Sequence, residues 1–108
     1  MNNHILQYHN DRELFMAYMP FLKPGGLFIP TLEKFEMGKQ FQLTVFLPGQ
    51  LDGIEVTGEV SWITPQGVQN GTEPGVGVSF VHDPNKLRYH IETALGTLLN
   101  STDPTYTM

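Results

Sequence analysis

Cysteine is absent from the chain, which removes disulfides and thiolate metal sites together. Basic charge is scarce: six Lys and Arg stand against eleven Asp and Glu, for a net charge of −5. Arg12, Lys23, Lys34, Lys39, Lys86 and Arg88 are scattered along the sequence, not clustered. Nucleic-acid binding draws on clustered cations that release phosphate counterions, so a barrel for single-stranded nucleic acid is disfavoured, and anionic membrane surfaces with it. No apolar run approaches the roughly 20 residues that span a bilayer. The opening Met1-Asn2-Asn3-His4 has neither the basic flank nor the long apolar segment of a secretory signal. The expectation is a soluble cytoplasmic chain without direct membrane insertion.

Reactive constellations are lacking too. His4, His9, His82 and His90 form no His-x-x-x-His pair, and no spacing sets a carboxylate beside two of them. His82 beside Asp83 reads as a turn residue at a helix start. Ser61 and Ser79 fall at alternating strand positions without the glycines of a nucleophile elbow. Dispersed carboxylates read as a solvated face. The sequence therefore predicts no enzyme, no metal and no cofactor.

What is present is a modest core: 40% hydrophobic and 11% aromatic residues spread evenly over 108 positions, which predicts one folded domain and not a disordered chain. His4–Tyr8 is short and mixed, and Asn10-Asp11 breaks it. Glu13–Met19 is almost unbroken apolar sequence ending at Pro20, and reads as a strand with both faces apolar. Pro24-Gly25-Gly26 then predicts a tight turn into a strand at Leu27–Thr31, with either glycine free to take φ > 0. Phe41, Leu43, Val45 and Leu47 alternate as the inward side of the next strand. Pro48-Gly49 and Asp52-Gly53 turn it into Ile54–Ile63, where Ile54, Val56, Val60 and Trp62 point inward and Gly58 predicts a bulge or bend. Pro65–Pro74 reads as a long loop. Gly75–Val81 is the last strand, its two glycines permitting close approach. At His82-Asp83-Pro84 the period changes, with Asp83 as N-cap and Pro84 at N1. Leu87, Ile91, Leu95, Leu98 and Leu99 then share one helical face. The fold predicted is mainly β: a small antiparallel barrel of about six strands over residues 12–81, an amphipathic helix over 84–100, and a tail at 101–108.

Three motifs in order carry a resemblance. Gly25-Gly26-Leu27-Phe28-Ile29, Gly58-Glu59-Val60-Ser61-Trp62 and Gly75-Val76-Gly77-Val78-Ser79-Phe80 resemble the PilZ domain family, small β-barrels known as receptors for cyclic di-GMP. The resemblance covers all but the residues before about 12 and after 100. The family's Asp/Asn-x-Ser-x-x-Gly motif is broken: Phe21 stands at the acid or amide and Lys23 at the serine. Its Arg-x-x-x-Arg pair is missing, since Met16 lies four residues beyond Arg12. The resemblance thus implies a domain that does not bind cyclic di-GMP, with a direct receptor using unusual ligands as the alternative. Ala17-Tyr18-Met19-Pro20-Phe21 and the ending Pro104-Thr105-Tyr106-Thr107-Met108 are similar to a short subgroup that assembles type IV pili. That similarity implies a non-catalytic adaptor in pilus biogenesis and twitching motility, with two partners: the pilus-extension ATPase (PilB type) and a degenerate GGDEF–EAL cyclic di-GMP receptor (FimX type).

Five residues are the candidate partner contacts. Tyr18 is either an interface anchor or a core aromatic with its hydroxyl at the barrel edge. Trp62 has inward parity but sits near the strand's end, where a rim position is open. Pro104 stops the helix, and Tyr106 and Met108 would project to one side of an extended tail.

Overall fold

The structure, a computed structural model, describes residues 3–64 and 74–100. Five strands form one curled sheet, an open half-barrel: β1 Asn3–Gln7, β2 Gly26–Pro30, β3 Gln40–Phe46, β4 Ile54–Thr64 and β5 Gly75–His82. Their order is β1-β3-β4-β5-β2. The class is the one expected, mainly β with a C-terminal helix. β3 and β4 behave as their alternation predicts: Phe41, Leu43, Val45, Val56 and Val60 are buried, and the two strands pair antiparallel. Each such side chain taken out of water contributes about 1.5–3 kcal/mol.

Gly58 does bend the sheet. The β4–β5 register shifts between Thr57 and Gly58 and again between Val60 and Trp62. A Cβ at Gly58 would run into the Val78 side chain, which packs into the space the glycine leaves open. The second shift reverses the alternation beyond it. Trp62 pairs with Gly77, not with an inward valine, and comes to the outer face, contrary to its inward parity in the sequence.

Three other expectations are corrected. The mixed segment at the N-terminus is β1, which adds to β3 in parallel, the other pairings being antiparallel. Its apolar residues are few because it is an edge strand, tied in by Tyr8 N–H to the Phe46 carbonyl and by the His4 ring tilted against Phe41, centroids 4.7 Å apart. Residues 13–17 of the predicted strand are helical: α1 spans Asp11–Ala17. Asn10 starts it, accepting the Glu13 N–H at 2.9 Å, while Glu13 Oε1 reaches back to the His9 N–H, also at 2.9 Å. This reciprocal capping satisfies two donors that a strand would have left to a ladder. Leu14, Phe15 and Ala17 are buried because α1 packs against both the second helix and β2. Only Tyr18 and Met19 are extended, bridging to Leu27 and Gly26.

The C-terminal helix α2 spans Leu87–Leu95, not 84–100. Its N-cap is Lys86, in a left-handed conformation, not Asp83, and Pro84 lies in the preceding turn, not at N1; the Asp83 carboxylate nonetheless accepts the N–H of Leu87 at 2.7 Å and of Arg88 at 3.1 Å. Gly96, at φ 49°, ends the α-helix, and a 3-10 turn follows over Gly96–Asn100. The tighter winding rotates the apolar stripe. Leu87, Ile91 and Leu95 are buried and Leu98 packs on the core, while Leu99 is left exposed. The predicted loop at Pro65–Pro74 falls, apart from Pro74, outside the described residues.

Candidate functional site

The outer face of the sheet is polar over β3 and β4, where Gln40 donates to Glu59 at 3.0 Å and Gln42 to Thr57 at 2.9 Å. Toward β5 it changes character. Ser79 is buried, its hydroxyl donating to Ser61 Oγ at 2.7 Å. Beyond that pair the surface is apolar. Met19 is fully buried over Gly77, and Phe21 meets the Trp62 ring edge-on with centroids 5.6 Å apart. Trp62 Nε1–H donates to Thr64 Oγ1 at 2.8 Å, which fixes the indole and leaves it half-buried. Phe21 is 38% exposed. An aromatic pair with one polar tip satisfied and its outer edges in water is what a protein interface uses as an anchor.

The sequence that positions this pair is the turn into β2. Gly25 takes φ 127°, and its carbonyl accepts the Phe80 N–H at 2.9 Å, fastening the turn to β5. At Gly26 a Cβ would stand 2.6 Å from the Val78 carbonyl, so the chain can enter the sheet there only as glycine. At the two positions where the family motif carries polar groups, Phe21 is turned onto Trp62 and Lys23 is exposed.

Tyr18 has the position of a core aromatic: it is 2% exposed, with its hydroxyl donating to Glu92 Oε2 at 2.6 Å. Burial, and then the bond to the carboxylate, push the Tyr18 hydroxyl above its ordinary range. The same bond, reinforced by Arg88, holds the Glu92 carboxyl below the usual carboxylate value. Arg88 Nε lies 3.2 Å from Glu92 Oε2, and its Nη1 donates to the Pro24 carbonyl at 2.9 Å. Arg88 and Glu92 were not among the residues the sequence singled out. Their i, i+4 spacing was readable there; their meeting with Tyr18 and Pro24 was not. Tyr18 and Trp62 do not touch a common point; they flank the Met19–Phe21 segment. Pro104, Tyr106 and Met108 lie outside the described residues.

Two clefts of about 280 Å³ open elsewhere. One is lined by Leu32, Phe35, Ile63 and Val76, the other by Leu6, Tyr8, Ala17 and Phe28 between the two edge strands. Both are mainly apolar. Among the described residues no three His, Asp or Glu side chains converge as a metal site would require, and no helix is long and apolar enough to cross a membrane.

A curled half-barrel sheet with two short helices packed on it, and an apolar patch on its outer face, is the architecture of a small β domain. The PilZ domain profile matches residues 3–96, and the chain belongs to the PilZ domain family. No curated protein matches it. Members of this family are in general non-catalytic binding domains, and the family gives the chain a role, as adaptor or receptor, connected with cyclic di-GMP.

Proposed function

We propose that the protein is a cytoplasmic, non-catalytic adaptor in type IV pilus biogenesis and twitching motility that does not itself bind cyclic di-GMP. It contacts the pilus-extension ATPase (PilB type) and a degenerate GGDEF–EAL cyclic di-GMP receptor (FimX type), and the second messenger is sensed by the latter. The observation that carries this reading is Phe21: at the acid or amide position of the family motif, an apolar ring packs on Trp62 and closes the surface with hydrophobic area. Lys23, at the serine position, offers one point charge, which does not replace the guanidinium fork that grips a phosphate. Trp62 and Phe21 supply one partner-binding surface, and Pro104, Tyr106 and Met108 are further partner contacts. Tyr18 serves that surface from within, through its hydroxyl and backbone.

A direct receptor is the second reading, and Arg88 is the observation in its favour, since its guanidinium lies against the Pro24 carbonyl beside the motif turn. Calorimetric titration of the purified protein with cyclic di-GMP separates the two. The adaptor gives no heat of binding; a micromolar Kd that vanishes in Arg88→Ala would establish the receptor. Co-precipitation with the purified ATPase and the purified GGDEF–EAL protein tests the partners themselves.

A further inference from the structure

Two side chains one turn apart on α2 hold the two ends of a single loop. At one end Glu92 Oε2 accepts the Tyr18 hydroxyl at 2.6 Å. At the other, Arg88 Nη1 donates to the Pro24 carbonyl at 2.9 Å. The two are themselves joined, Arg88 Nε to the same Glu92 oxygen at 3.2 Å, in the i, i+4 relation that places side chains together on a helix face. The stem of Arg88 lies flat on the turn, with Cδ 3.3 Å and Cγ 3.4 Å from where a Gly25 Cβ would stand. Between these anchors run Met19, seated on Gly77, and Phe21, seated on Trp62. A loop tied at both ends to one rigid helix loses its freedom when the domain folds, not when a partner arrives.

We infer that Arg88 and Glu92 are positioning residues, a clamp by which helix α2 holds the Met19–Phe21 segment on the sheet, so that the Phe21–Trp62 surface is formed without a ligand. The use of that surface rests on the proposed function. The coupling does not, because it can be read with no partner present.

Trp62 is the only tryptophan, so its fluorescence reports this surface alone. The experiment compares acrylamide quenching and amide hydrogen exchange in the full-length wild type, Arg88→Ala and Glu92→Gln. The clamp predicts quenching of Trp62 raised by about twofold in both variants, with faster exchange at the Met19 and Leu22 amides and unchanged exchange in β3 and β4. Wild-type quenching in folded variants overturns it. If neither variant folds, the wild type decides: Met19 and Leu22 amides must exchange in step with those of α2, and exchange there faster by about tenfold or more refutes the clamp. Loss of the proposed partners with the coupling intact would remove the adaptor reading and leave the clamp standing.

Discussion

Met19 occupies the space that a side chain at residue 77 would need: its Sδ is 2.7 Å and its Cε 2.8 Å from where a Gly77 Cβ would stand. The Trp62 Cβ is as close, at 2.8 Å, so the glycine is hemmed in from two sides. Gly77→Ala should therefore lift Met19 or distort β5, and cost about 1–3 kcal/mol, as overpacking does. Urea unfolding followed by Trp62 emission gives both readouts, a lower midpoint and a red-shifted folded-state spectrum. An alanine variant with wild-type midpoint and spectrum would show that Met19 is not held there.

Tyr18 separates packing from surface contact. Its partner-anchor role, as read from the sequence, predicts that Tyr18→Ala weakens partner binding with little loss of stability. The buried ring reverses the second half. Tyr18→Ala should cost about 3–5 kcal/mol, the range for deleting a core aromatic. Tyr18→Phe keeps the ring, loses only the bond to Glu92, and should cost about 1–2 kcal/mol. Equal unfolding midpoints for the wild type and Tyr18→Ala would return the residue to the surface.

The Tyr18–Glu92 bond also sets a pH profile. Glu92 sits below its ordinary value of 4.5, chiefly because Tyr18 donates to it, with Arg88 adding to the effect. A depressed carboxyl contributes stability that is complete above the ordinary value and is lost as pH falls through the folded-state value. Tyr18 is raised above its ordinary 10.0, first by burial. Its contribution is complete below pH 10.0 and is lost as pH rises toward the folded-state value. Unfolding midpoints should then fall on both sides of a plateau between these two values. Tyr18→Phe should remove much of the alkaline arm. Glu92→Gln should make the acid arm shallower without abolishing it, because Glu13 is likewise held low, mainly by the His9 N–H. An unchanged alkaline arm in Tyr18→Phe would show that Tyr18 does not set it.

How far the sequence could be read follows from which forces shaped each element. β3 and β4 were legible because one face is core and the other water, so period two is written into Phe41-x-Leu43-x-Val45. The bend at Gly58 was legible because a glycine inside an alternating strand has few other uses. α1 hides its period because its apolar half, Leu14–Ala17, is a single unbroken turn that reads equally well as a strand, while its first three residues are charged and exposed; the Asn10-x-x-Glu13 cap is the signal that marks it. Trp62 was placed on the wrong face because one register shift inverts every later residue. The Tyr18–Glu92 bond joins residues 74 apart in sequence, and no local pattern encodes such a meeting.

The last prediction concerns the tail, Asp103–Met108, which lies outside the described residues. Leu95 is buried, Leu98 packs on the same cluster, and the cluster draws its other members from β1 to α2. Removing 103–108 should therefore leave the circular dichroism spectrum and the Tm close to wild type. Terminal residues usually fray, and the tail would be dispensable for binding too if it were only that. Its composition argues otherwise. Pro104 stiffens the segment and reduces the entropy lost on ordering, Thr105 and Thr107 favour extension, and Tyr106 and Met108 fall on one side of an extended strand. Large adaptable side chains at alternate positions suit addition to a sheet edge or a shallow apolar groove on a partner. The truncated protein should bind the pilus-extension ATPase at least about tenfold more weakly, the loss of one good anchor. Tyr106→Ala in the full chain should account for much of that loss. Wild-type affinity in the truncated protein, measured by calorimetry against the purified ATPase, would exclude the tail from the interface and leave the Phe21–Trp62 surface to carry it alone.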